Sequence, residues 1–140
     1  MSRVIKAALV VESRELSLGQ ISAGMGRRPD SGYERGSLSS LRKVPRAWTS
    51  WEIELHWPRE VHGGSEGLAT AIESLGRPVA ERAATLAAQG CDVVLSVCQE
   101  LADDPASTGL HLTPDAIKWL ATAGATFSVD QYVETESEAH

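Results

Sequence analysis

Cysteine is scarce in this sequence: Cys91 and Cys98 are the only two in 140 residues. They flank the apolar run Val93-Val94-Leu95, which reads as a strand, and their separation puts them on opposite faces of it. Disulfide geometry forbids a bridge between opposite faces, and the spacing fits no standard zinc pattern. Both are expected to be reduced core thiols. Long hydrophobic runs are missing as well. No stretch nears the roughly 18 consecutive apolar residues that a membrane span needs, and the N-terminus lacks a charged region followed by an apolar run and a cleavage site. A cytoplasmic chain, neither inserted nor exported, is the expectation.

Basic residues are outnumbered, with a formal net charge of −6. Phosphate neutralisation needs a clustered excess of Lys and Arg, so general nucleic-acid binding is not expected. A nucleotide cradle is absent too, because Gly24-Met25-Gly26 closes a helix, whereas a phosphate loop must open one. No Gly-x-Ser-x-Gly elbow occurs, and neither cysteine stands at a helix N-terminus that would lower its pKa. His56, His62 and His111 are scattered, with no pair at the close spacing of an imidazole metal site, and His140 is terminal. These absences predict no catalytic residue of a known type, no metal and no cofactor.

What is present describes a folded α+β domain. Hydrophobic residues at 42% and charged residues at 23% match ordinary globular usage. A chain of this length buries about two-thirds of its unfolded surface without metals or disulfides. One domain over residues 1–133 is expected, with an acidic tail at 134–140 carrying Glu134, Glu136 and Glu138. Val4 to Val11 is an apolar strand covered on at least one face. Leu16 to Ile21 opens a helix, with Ser17 as cap, Gln20 completing a capping box and Leu16 stapling onto Ile21. Leu18, Ile21 and Met25 share its apolar face, Gly26 ends it, and Pro29 prevents resumption.

Residues 27–46 hold Arg27, Arg28, Arg35, Arg42, Lys43 and Arg46 against only Asp30 and Glu34. This locally cationic stretch, rich in Gly and Ser, reads as a long mobile connection or a poorly marked hairpin. Trp48 to Trp57 then alternates: Trp51, Ile53, Leu55 and Trp57 on one face, Ser50, Glu52, Glu54 and His56 on the other. A helix with Leu68, Ile72 and Leu75 on its stripe follows, then Gly76-Arg77-Pro78 and a second helix with Val79, Ala83 and Leu86, closed by Gly90. Val93, Leu95 and Val97 mark a buried strand, and 103–109 a surface loop. Thr113-Pro114-Asp115 caps a last helix, with Leu112 stapling onto Ile117 and with Ile117, Leu120 and Ala121 toward the core. Gly124 ends it before a strand from Thr126 to Tyr132. This order predicts helices packed on one face of a mainly antiparallel sheet, a ferredoxin-like variant.

Three segments together resemble the bacterial family called domain of unknown function 4279. They are Leu16 to Ile21 with Gly26 and Pro29; the tryptophan strand; and Gly109-Leu110-His111-Leu112-Thr113-Pro114 through Gly124 to Phe127-Ser128-Val129-Asp130-Gln131-Tyr132. The C-terminal third is the most specific part. The resemblance implies a small bacterial protein, often standing alone, with no established catalytic residues to carry over.

Two surfaces are candidates for function. Glu52, Glu54 and His56 share a strand face, joined by Asp130 and Tyr132 if the last strand presents the same side, and Trp48 falls on that parity as an exposed aromatic anchor. Arg27 and Arg28, just past a helix C-terminus, can contact an anion or an acidic partner, or simply complement the helix dipole. The function expected is a non-enzymatic protein-binding or self-associating module, a homodimer or a complex with another protein, such as an antagonist of a bacterial toxin. The alternative is a small enzyme or small-ligand sensor using the Glu/His/Asp/Tyr face, which needs those side chains to converge in a pocket.

Overall fold

The computed structural model describes residues 3–39, 41, 43–57, 65–101 and 109–133. The first strand, β1 (Arg3–Ser13), is the middle of the sheet. Ala7, Leu9, Val11 and Ser13 are buried on one side of it, while Lys6, Val10 and Glu12 keep some exposure on the other. An irregularity in the pairing between Val4 and Lys6 bends its first turn of pleat.

Helix α1 (Leu18–Met25) starts as the sequence predicts: Ser17 Oγ accepts from the Gln20 N–H at 3.1 Å, and Gln20 Oε1 accepts from the Ser17 N–H at 2.8 Å. Gly26 stops it with φ +74°, a conformation in which a side chain would be strained.

The cationic stretch takes the hairpin alternative. Strand β2 (Ser31–Tyr33) pairs antiparallel with β3 (Thr49–Glu54), and a further bridge joins Leu38 to Pro45. A three-residue strand is too short to show a period, so alternation could not reveal it. Its junction is held by the Asp30 N–H donating to Glu52 O at 2.8 Å and the Glu54 N–H donating to Asp30 Oδ2 at 2.7 Å.

The remaining elements are α2 (Ser65–Ser74), α3 (Arg77–Ala88), β4 (Asp92–Leu101), α4 (Pro114–Ala123) and β5 (Thr126–Val133). Thr113 Oγ1 accepts from the Ala116 N–H at 3.1 Å, and Gly124 closes α4 at φ +67°. The sheet order is β2-β3-β1-β4-β5, antiparallel throughout except for β4 with β5. Strands β1 and β2 run parallel with β3 between them, and β4 lies on the other side of β1. That is the split βαβ arrangement of a ferredoxin-like fold, its second helix divided into α2 and α3. The α4-β5 unit extends the sheet by one parallel edge strand.

One apolar cluster joins the helices to a single sheet face through Leu9, Val11, Trp51, Ile53, Leu95 and Val97. Burying each such side chain contributes roughly 1.5–3 kcal/mol. Among the described residues the opposite face carries no helix. Two expectations require correction. On α4, Ala116, Trp119, Leu120 and Ala123 are buried, whereas Ile117 is 55% exposed and Ala121 also faces out. The Trp119 indole donates to Gly76 O at 2.8 Å, and seating that large ring toward α3 rotates the helix away from the expected face. Cys91 is buried, but Cys98 is only half-buried and lies on the helix-free side, so it is not a core thiol. The expected loop at 103–108 and the tail at 134–140 fall outside the described residues.

Candidate functional site

Strand pairing sets out the helix-free face row by row. Ser50, Glu12 and Asp92 stand side by side at one end; then come Glu52, Val10, Val94 and Thr126; then Glu54, Ala8, Ser96 and Ser128; then Lys6, Cys98 and Asp130; and finally Glu100 beside Tyr132. Directly opposed residues share a face, so these rows form one surface. Its middle is made of small or β-branched side chains, and its margins carry six carboxylates. Against them stands Lys6. Lys6 meets Glu52 at 3.8 Å, with half of the lysine exposed, so the pair is weak. The surface is strongly acidic.

The structure brings the expected residues onto this surface without gathering them into one point. Glu52 and Glu54 lie on β3, Asp130 and Tyr132 on β5, with β1 and β4 between. Three strand spacings separate the two pairs by about 14 Å. His56 is exposed two residues beyond Glu54, where the Leu55 N–H still donates to Ala7 O at 2.8 Å. Trp48 is at the other end of β3, about 27 Å from His56 along the strand direction. Acid-base partners must approach within hydrogen-bond reach of one reacting atom, so these residues do not form one catalytic constellation. No group of three metal-ligating side chains occurs among the described residues.

At the Trp48 end the surface turns into a cleft of about 420 Å³, lined by Glu12, Ser13, Arg14, Glu15, Trp48 and Asp92, with Gln89 and Gly90 at its rim. Trp48 is 38% exposed. Its ring lies in the same cleft as the Glu12 carboxylate and favours the ionised form of that group. Burial, and secondarily the charge of Asp92, raise Glu12 above the ordinary carboxylate pKa, and Trp48 only partly opposes them. An aromatic ring beside crowded carboxylates suits a cation, which relieves the repulsion and stacks on the ring. Sequence reasoning missed Glu12 and Asp92 because the apolar runs seemed to stop at Val11 and start at Val93. Extending the alternation one residue into each flanking acid would have found both.

The opposite end has its own contact. Tyr132 lies beside Cys98 and Asp130, and these neighbours, Cys98 foremost, raise the tyrosine pKa. Cys91 is raised by burial first, despite a hydrogen bond with Ser13, and is thereby kept a neutral thiol.

The second candidate surface is largely tied into the fold. Arg27 pairs with Asp30 at 3.7 Å, and its carbonyl accepts the Trp51 indole N–H at 3.4 Å. Arg46 stacks over the Tyr33 ring at 4.2 Å and donates to Ser37 Oγ, while Arg35 donates to the Arg14 carbonyl. Arg28 is exposed.

No helix among the described residues is long and apolar enough to cross a membrane. No curated protein and no solved structure matches the chain. The family model described as "Domain of unknown function (DUF4279)" matches residues 3–134, nearly the whole length, and the chain belongs to that family.

Proposed function

We propose that this protein is a non-enzymatic binding module whose helix-free sheet face receives a cationic segment of another protein, anchored at the Trp48–Glu12–Asp92 cleft. The observation that carries the reading is the raised Glu12 carboxyl beneath an exposed tryptophan, beside Asp92 and within reach of solvent. A guanidinium or ammonium placed there takes the hydrogen-bonding capacity of both carboxylates and the face of the ring. Beyond the cleft, Glu52, Glu54 and Asp130 give the rest of a basic segment a path along the small residues in the centre. The spread of carboxylates over four strands favours an extended partner over a compact substrate.

Isothermal titration of the protein with an arginine- and lysine-rich peptide tests this, with an acidic peptide of equal length as control. Saturable binding of the basic peptide, weakened by salt and by Trp48→Ala, is the expected result. Binding that is indifferent to Trp48, or absent at low salt, refutes it.

A further inference from the structure

The two edges of the sheet are built differently. The β2 edge is three residues long, and Gly32 there sits so close to Ser50 that an added Cβ would lie 2.5 Å from its carbonyl oxygen. The β5 edge runs for eight residues, Thr126 to Val133, with no Pro, Gly, Lys or Arg and a single charge at Asp130. Among the described residues no backbone group pairs with its outer side. Natural sheets blunt long edges with bulges, prolines or lysines, and this one has none of them.

We infer that β5 pairs antiparallel with β5 of a second copy of this chain, about a two-fold axis through Val129, forming one continuous ten-stranded sheet with the helices of both copies on the same side. Directly opposed side chains of an antiparallel pair point to the same face. A two-fold axis between identical strands therefore passes through a residue, never between two. Only the axes through Val129 and through Asp130 use all but one residue of β5. The Asp130 axis sets two like charges face to face. The Val129 axis instead places Asp130 opposite Ser128, Tyr132 opposite Thr126, Phe127 opposite Gln131 and Val129 opposite itself, with no like pair anywhere.

Helix α4 supports the same occupant. It is the crossover between β4 and β5, and its copies would flank the axis about two strand spacings apart, close to the ordinary 8–10 Å of packed helices. Asp115, Lys118 and Thr122 line its cleft with Arg77 and Ala80 of α3. Ile117 lies roughly 130° round the helix from that side, and it is exposed. An apolar residue turned away from α3, on the helix nearest the open edge, is what a second copy would cover.

Ser128 is exposed on the helix-free face, so charges placed there leave the core intact. Sedimentation velocity at several concentrations reads the dimer, and circular dichroism verifies the fold of each variant. The wild type is expected to dimerise. Ser128→Glu, which opposes Asp130 of the second copy twice per dimer, should weaken association by about threefold to tenfold. Ser128→Lys should keep or tighten it, and Ser128→Glu combined with Asp130→Lys should restore it. Ile117→Lys should weaken it without unfolding the chain. A wild type that stays monomeric at high micromolar concentration overturns the inference, and so does association that responds alike to Glu and Lys at position 128. Peptide binding through Trp48 is read separately, at the far end of the sheet from Tyr132, so either proposal can fail without the other.

Discussion

Trp48 shares a cleft with the carboxylate of Glu12 from the neighbouring strand and favours its ionised form. Ser13 pairs with Thr49, so the tryptophan stands one step beyond the ladder, diagonal to Glu12 on the same face. The aromatic ring thus lines the same cleft as a carboxyl whose own surroundings, burial and Asp92, favour its protonated form.

The first expectation concerns stability. Because the folded-state pKa of Glu12 is raised above its ordinary value of 4.5, the folded chain holds that proton more tightly than the unfolded one. Below the ordinary value both states are protonated and nothing is lost. Stability falls as pH rises through the window up to the raised pKa, and the deficit is complete above it. Glu12→Gln removes the deficit while keeping the size of the side chain. Its melting temperature should exceed the wild type's at pH 7, and the two should converge well below pH 4.5.

Binding should move the same proton. A cation in the cleft favours the ionised carboxylate, so affinity for a basic peptide should rise with pH just above the ordinary carboxylate range and then level off. Titration calorimetry in buffers of different ionisation enthalpy should register proton release in that window. In Glu12→Gln the release should disappear.

Trp48→Ala should separate recognition from folding. The residue is over a third exposed, so its loss should cost about 1–3 kcal/mol of stability, while peptide affinity falls about tenfold. Trp51→Ala, three residues along the same strand, is the contrast: the side chain is fully buried, and truncation should cost about 3–5 kcal/mol in a urea titration.

Gly32→Ala tests the hairpin hidden in the basic stretch. The added methyl would collide with the Ser50 carbonyl oxygen, so β2 must move away from β3. A loss of about 1–3 kcal/mol is expected, with amide exchange accelerating at Ser31 to Tyr33 before the rest of the sheet.

Much of this architecture was legible in the sequence because local chemistry and tertiary packing agree. Ser17 with Gln20, Thr113 with Pro114, and Gly26 and Gly124 mark helix ends through backbone requirements that hold in any context. The alternation from Trp51 to Leu55 survives because one face of β3 meets the core and the other meets water. Legibility failed where a distant partner decides. Ile117 fits an apolar stripe by spacing, yet the Trp119 bond to Gly76, 43 residues away in sequence, sets the rotation of α4. The cleft was half visible: Trp48 announces itself as an aromatic residue on the exposed parity, but Glu12 and Asp92 become its neighbours only through the pairing of β1 with β3 and β4.

The central claim is that the helix-free face receives a cationic segment, and chemical-shift mapping of the amide spectrum during titration with an arginine- and lysine-rich peptide tests it most directly. The account predicts shifts that begin at Trp48, Glu12 and Asp92, continue through Glu52 and Glu54, and leave α1 and α3 unchanged. Shifts centred on the helices, or on Arg27 and Arg28 with an acidic peptide instead, would contradict it.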